Sequence, residues 1–276
     1  MKICRFTKTD SSQTQYGLLE QHAVSPLIAQ NPFNDRLEAG GDKIPLHEVK
    51  LLAPVVPTKI VCVGRNYLEH AVELGNKLPS EPLLFLKPPS SIIADGEAIV
   101  LPSISNQVEH EGELGVVIGR MARAIGEHEN PLDYVLGYTC LNDVTARDLQ
   151  RKDIQFTRAK SFDTFCPVGP FIETEFDPLD ALVSARLNGQ IKQQARTSAM
   201  AFSVPFIIRY ISLIMTLYPG DLIATGTPAG VSSLKAGDEI EIEIEGVGLL
   251  KNSVAAGGTA LRRVESVDFP LDSTAA

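Results

Sequence analysis

No lysine- or arginine-rich run occurs anywhere in the 276 residues, and 25 basic side chains are scattered among 34 acidic ones for a net charge of −9. Nucleic acid and anionic membrane surfaces are therefore poor candidate partners. The four cysteines, Cys4, Cys62, Cys140 and Cys166, stand far apart without CxxC spacing. They read as reduced, buried thiols, and a structural zinc site is not expected. The N-terminus, MKICRFTKTDSSQ, lacks an apolar core or small-residue cleavage site, so a cytoplasmic location is expected. The most apolar later segment, Val204 to Tyr218, is interrupted by Arg209 and stopped by Pro219 and Gly220, which is too short for a bilayer span. The spacing predicts a buried helix over Ser198 to Tyr218. No internal repeat stands out.

What is present is concentrated between Val108 and Lys160. In EGELGVVIG, Glu111 and Glu113 sit two residues apart and lead into an apolar β-branched run, so as a strand they project from one face. Two carboxylates in one small volume raise each other's pKa or demand a cation. A third, Asp143, ends the strand-like run Tyr134 to Leu141, and Lys160 follows in a polar segment. Three carboxylates without clustered His or Cys point to a hard, oxygen-loving ion, Mg²⁺ or Mn²⁺, with Ca²⁺ also compatible.

The rest of the chain supplies a setting. Residues 1–55 alternate short apolar clusters with polar turns, as in a small strand-rich N-terminal domain; APVVPT marks the boundary to a main domain over 56–265, with a tail at 266–276. KIVCVGRNYLEHAVELG reads as a short buried strand broken at Gly64, followed by a helical turn on which His70 and Glu73 are three apart. There the carboxylate can orient the imidazole as a general acid/base; the alternative is a solvated surface pair. GNKLPSEP suits a mobile loop beside that base. Lys87, before two prolines, reads as structural, and Arg147 with Asp148 as a local ion pair. Asp143 or Thr145 is available to cap a short helix in VTARDLQRKDIQF. SARLNGQIKQQ predicts a hairpin turning at Asn188 and Gly189. In TGTPAGV the glycines allow close backbone approach, and the hydroxyls of Thr225 and Thr227 can hydrogen bond a carboxylate, against the alternative of an ordinary strand-to-turn transition. EIEIEIEG places its glutamates on one solvated strand face.

Taken together, CVGRNYLEH, EGELGVVIG, GYTCLNDVTARDLQ, AKSFDTFCPVGP and TGTPAGV resemble the fumarylacetoacetate hydrolase family over about Lys59 to Val254. The match is nearer to the acylpyruvase and 2-hydroxyhepta-2,4-diene-1,7-dioate isomerase-like branch than to the namesake enzymes. The resemblance implies an α+β, mostly β fold, a mixed β-sheet roll carrying a small N-terminal domain, and a homodimer. It implies metal ligation by Glu111, Glu113 and Asp143, a substrate-polarising role for Lys160, and acid/base work by His70 and Glu73. Arg65 and Thr227 fall where family members contact substrate, with Phe85 and Gln155 near the same site.

The activity so implied is hydrolytic C–C cleavage of a 3-acylpyruvate-type diketo acid through a metal-stabilised enolate. The alternative stops at proton transfer or loss of CO₂, giving an isomerase, tautomerase or decarboxylase acting on a 2-oxo acid such as oxaloacetate or on a 2-hydroxy-diene-dioate. Both need the same metal, lysine and base. A third alternative, a protein that only binds metal or a small acid, would have lost a ligand or the base, and this sequence keeps them all.

Overall fold

Strand Gly112–Ile118 is buried at every position, which is why LGVVI, after Glu113, is continuously apolar rather than alternating. In the computed structural model, which describes residues 1–28, 31–33 and 37–257, this strand is central to a twelve-stranded mixed sheet. The expected tail at 266–276, and the main domain after residue 257, lie outside those residues.

On one side the strand pairs antiparallel with Val135–Asn142, and on the other with Leu222–Ala224, which runs parallel to Ile60–Gly64. Leu114, Val116 and Ile118 pack into one core cluster with Val183, Ile240, Ile242 and Ile244 of a second, five-stranded sheet. Val117 faces the opposite core with Ile60, Cys62, Val168 and Leu222. The strand is thus the shared wall of two cores, and its ends are held firmly.

The second sheet follows the alternation expected of it. In Glu239–Ile244 the isoleucines are buried and the glutamates lie outward. The hairpin Leu182–Leu187 and Gln190–Arg196 turns at Asn188 and Gly189, with φ of 51° and 76°, as an Asn-Gly turn requires. The N-terminal strands extend the large sheet: Lys2–Lys8 pairs antiparallel with Cys166–Glu173, and Met1 contributes its ammonium to Glu173.

Two local expectations are corrected. The helix expected over Ser198 to Tyr218 is confined to Val204–Ile214, because Pro205 fits only its first turn and Met215 returns to extended backbone. It buries Val204, Ile207, Ile208 and Ile211 but leaves Phe206, Leu213 and Ile214 exposed, so it is buried on one face only. The short helix Arg147–Lys152 has no side-chain cap; Thr145 donates instead to the Asp143 carbonyl, and the Asp143 carboxylate is turned inward. Among the described residues no helix is long and apolar enough to cross a membrane.

Candidate active site

Glu113 lies in strand Gly112–Ile118, Glu111 just before it, and Asp143 just after strand Val135–Asn142. The two strands are antiparallel with Gly112 opposite Asn142, so the register brings the end of one to the start of the other. The Asp143 amide donates to the Glu111 carbonyl at 2.8 Å and the Asn142 side chain accepts from the Glu111 amide at 2.9 Å. One oxygen from each of the three carboxylates lies within 4.8 Å of the others, and all three residues are buried.

Such crowding is stable only with compensating charge. Lys160 reaches Glu111 Oε2 at 2.7 Å and Asp143 Oδ2 at 2.6 Å, while Lys87 reaches Asp143 Oδ1 at 2.6 Å. Arg147 donates through Nε to Glu109 at 2.7 Å and through Nη2 to Glu111. Four buried carboxylates (Glu109, Glu111, Glu113, Asp143) therefore face three buried cations (Lys87, Arg147, Lys160), leaving one negative charge over.

The excess sits on Glu113. It accepts from the Gly226 amide at 2.7 Å and has no ion-pair partner among the described residues. Burial, reinforced by Asp143 and Glu111, pushes its carboxyl well above the usual range. Burial alone would also raise Glu111, but Lys160 and Arg147 outweigh it and hold that carboxyl low. For Lys160, burial works against the charge, and Asp143 and Glu111 more than restore it, so the ammonium is held charged. An all-oxygen trio with one uncompensated carboxylate fits a hard divalent cation.

Above the trio is a cavity of about 210 Å³ lined by Arg65, His70, Phe85, Arg147, Lys160 and Thr227 with the three carboxylates. His70 is buried on helix Leu68–Glu73, and its Nδ1 lies 3.3 Å from Glu73 Oε2, which leaves Nε2 for the cavity. The Gly230 amide holds Glu73 from the other side, at 3.0 Å to Oε1. Arg65 turns out of its strand with φ 58°. Phe85 lies under the Lys160 ammonium, 4.9 Å from the ring centre, and packs edge-on against Phe156.

Some expected residues are placed differently. Gln155 is exposed and lines a separate, open depression with Lys152 and Ile154; Phe156 takes its place at the cavity. Thr225 points away, donating to the Leu114 carbonyl, so only Thr227 of the two hydroxyls borders the cavity. Arg147 pairs with Glu109 and Glu111 and not with Asp148, which instead accepts from Ser105 and Asn106. Lys87, read from sequence as structural, is a buried partner of Asp143.

Gln193 is a further residue that the sequence did not disclose. It reaches across from hairpin strand Gln190–Arg196, fully buried, and makes four hydrogen bonds. Its amide nitrogen donates to Thr227 Oγ1 at 2.7 Å and the Pro228 carbonyl at 2.6 Å; its oxygen accepts from the Gly112 amide at 2.9 Å and from His110 Nδ1 at 3.1 Å. The fixed polarity of the Pro228 carbonyl and the Gly112 amide sets the orientation of the Gln193 side chain, which makes His110 Nδ1 the donor. Burial pushes His110 down to about 4, so the ring is neutral.

A β-rich fold that gathers a buried histidine, a buried lysine and three carboxylates around one small cavity has the makings of an enzyme site. Residues 59–255 match the fumarylacetoacetate (FAA) hydrolase C-terminal family and residues 1–54 the Rv2993c-like N-terminal family, and the chain belongs to the fumarylacetoacetate hydrolase family. It is 45% identical over 201 residues to the mitochondrial oxaloacetate tautomerase FAHD1 of Bos taurus, covering 71% of this chain and 90% of that one. The structure of a 2-hydroxyhepta-2,4-diene-1,7-dioate isomerase from Mycobacterium marinum superposes with a TM-score of 0.83 at 43% identity, covering 94% and 99% of the two chains. A maleylpyruvate hydrolase from Sphingobium sp. SYK-6, solved in complex with manganese(II) ion and pyruvate, gives 0.77 at 30% identity, covering 94% and 100%. Members of the family are enzymes, and so is this chain.

Proposed function

We propose that the chain is a divalent-metal-dependent tautomerase or isomerase that moves a proton to and from the carbon beside the keto group of a small 2-oxo acid. The observation that carries this reading is that His70, held by Glu73 from behind, lines one cavity with the carboxylate trio. Its volume of about 210 Å³ is below the roughly 300–1,000 Å³ of sites for drug-sized ligands, which suits a compact acid.

Glu111, Glu113 and Asp143 would hold Mg²⁺ or Mn²⁺, which when bound supplies Lewis-acid stabilisation of negative charge developing on substrate oxygens. Lys160 has three N–H donors, of which two are committed to Glu111 and Asp143. The third is left for a substrate oxygen. His70, oriented by Glu73, takes the proton from carbon and returns it. Phe85 and Phe156 wall the base and lysine from water. The exposed Phe206, Leu213 and Ile214 support a homodimer as the working assembly.

Relatives at 43% and 45% identity bear isomerase and tautomerase names, which favours proton transfer. The maleylpyruvate hydrolase neighbour favours, as a second reading, hydrolytic cleavage of a 3-acylpyruvate, in which His70 deprotonates water for attack on the distal carbonyl. Product analysis by NMR with Mn²⁺-loaded protein, oxaloacetate and acetylpyruvate separates them, with an EDTA-treated control. Metal-dependent acceleration of enol–keto exchange without cleavage is expected. Acetate and pyruvate from acetylpyruvate would replace this reading with the hydrolase, and exchange unaffected by EDTA would remove the metal from it.

A further inference from the structure

Asn66 is fully buried between Arg65, which lines the cavity, and the first turn of helix Leu68–Glu73, and its side chain bonds only to backbone. The Phe202 amide donates to its Oδ1 at 2.8 Å; its Nδ2 donates to the Phe202 carbonyl at 3.0 Å and to the Thr225 carbonyl at 2.7 Å. A backbone amide only donates and a carbonyl only accepts, so Phe202 fixes which end of the Asn66 side chain is nitrogen. Both Nδ2 protons are committed, one of them to Thr225.

The Thr225 carbonyl shares its peptide group with the Gly226 amide, which donates to Glu113 Oε2 at 2.7 Å. In a planar trans peptide the C=O and N–H point in opposite directions. A carbonyl held by Asn66 on one side therefore directs the amide to the carboxylate on the other. Gly226 makes the approach possible: its φ is +99°, and a Cβ there would stand 2.6 Å from the Asn66 Cβ. Thr225 is tied to strand Gly112–Ile118 as well, its amide and hydroxyl donating to the Leu114 carbonyl at 3.2 and 2.9 Å. The peptide is held on every side.

Glu113 depends on that amide. Glu111 and Asp143 are each held by two cations, whereas the Gly226 bond is the one hydrogen bond that the Glu113 carboxylate accepts among the described residues. We propose that Asn66 is a positioning residue for Glu113, acting through the Thr225–Gly226 peptide to hold the carboxylate in the orientation that completes the trio. This rests on the trio being the divalent-metal site proposed above. A donor on the carbonyl also polarises the peptide, which strengthens the bond from its amide to the carboxylate. Loss of a partner behind a metal ligand lowers metal affinity by about 10–100-fold.

The test uses two variants. Asn66→Leu keeps the size of the side chain and removes its donors; Asn66→Asp keeps the acceptor for the Phe202 amide and removes the donor to Thr225. The added charge of Asn66→Asp by itself favours a cation, so weaker binding there comes from the lost donor, and this variant decides if Asn66→Leu does not fold. Asn252→Leu is the matched control, because Asn252 is also buried and donates from Nδ2 to two carbonyls, of Ala94 and Glu97, away from the cavity. Calorimetry should give a Mn²⁺ dissociation constant about 10–100-fold higher in the Asn66 variants than in wild type. Hydrogen exchange at the Gly226 amide, followed by NMR in the metal-free proteins, should lose protection in them. Asn252→Leu should lose comparable stability in urea and keep wild-type values of both. Unchanged Mn²⁺ affinity in the Asn66 variants, or an equal loss in Asn252→Leu, overturns the proposal. If wild type itself binds no Mn²⁺, the metal reading falls; Gly226 protection lost in the Asn66 variants alone would then uphold the positioning of the peptide, and protection kept would refute it.

Discussion

Lys87 and Asp143, 56 residues apart, form an ion pair of 2.6 Å in which both side chains are essentially inaccessible to solvent. Lys87 also donates to the Val144 carbonyl at 3.2 Å, so one ammonium fixes both the carboxylate and the backbone after it. Removing Lys87 leaves Asp143 with Lys160 alone and the buried cluster with one more negative charge in excess, at a cost of about 2–3 kcal/mol, below that of a wholly orphaned charge. Lys87→Met is therefore expected to lower unfolding free energy in urea by roughly that amount in metal-free protein, with Mn²⁺ restoring part of it by resupplying positive charge. A loss below about 1 kcal/mol would show that Asp143 does not depend on Lys87.

Glu113 gives a prediction of opposite sign. Its folded-state pKa is raised by burial and by Asp143 and Glu111, so above the unfolded pKa the ionised carboxylate subtracts from stability. An amide imitates the protonated form at every pH. Glu113→Gln should make the metal-free protein at least as stable as wild type at neutral pH, while abolishing the upward shift in melting temperature that Mn²⁺ produces in wild type. Melting curves with and without the ion decide it; a Mn²⁺ shift retained in Glu113→Gln would remove this residue from the ligand set.

His70 and Glu73 divide one task. His70→Ala should reduce turnover by roughly 100-fold or more, the usual scale for lost acid/base catalysis, with calorimetric Mn²⁺ affinity kept, because the imidazole is not among the three carboxylates that would hold the ion. Glu73→Gln keeps an acceptor for the His70 nitrogen at 3.3 Å but removes the charge, so the drop should be smaller and in kcat rather than KM. Wild-type turnover in His70→Ala would return the pair to a structural role.

The closeness of Glu111 to Glu113 and of His70 to Glu73 was legible because each is a local signal. Glu111 and Glu113 are two apart at the start of a strand, and His70 and Glu73 are three apart on a helical turn. The Asn188–Gly189 turn was legible for the same reason. Lys87 was not, because its partner lies 56 positions away and its neighbours Pro88 and Pro89 speak only of where the strand ends. Gln193 was hidden more deeply. Its strand, QIKQQAR, is mostly exposed, and a fully buried glutamine among exposed polar residues leaves no periodic trace. Register across two sheets, not composition, puts it beside Thr227. Gln155 was misplaced by one position: the chain turns there so that Phe156, not Gln155, meets Phe85.

The cysteines allow a check on the packing. All four are free and buried, and burial pushes the Cys4, Cys140 and Cys166 thiols up to about 12 and Cys62 well above its ordinary value. Only the thiolate reacts, so at pH 8 the native protein should give a negligible signal with a disulfide reagent such as DTNB, and four equivalents once unfolded in guanidinium. Rapid native labelling of any thiol would contradict the burial of the strand that carries it.

Gly230 tests the link between the base and the scaffold. Its φ is +102°, and a Cβ there would stand 1.9 Å from the Lys192 carbonyl oxygen, next to Gln193, while its own amide holds Glu73. Backbone cannot give way as a side-chain tip can, so Gly230→Ala must shift the loop, which moves both the Glu73 anchor and the segment that Gln193 grips at Pro228. Strain of about 1–3 kcal/mol is expected in the melting free energy, and kcat should fall by roughly tenfold to a hundredfold through misplacement of His70. Gly237→Ala is the matched control: its φ of +93° brings similar backbone strain, but nothing lies within 4 Å of the added methyl. That variant should lose stability and keep its turnover. Equal loss of kcat in both would mean that strain alone impairs the enzyme; a loss confined to Gly230→Ala would place the positioning of the base in the contact between the 228–230 loop and the 190–196 strand.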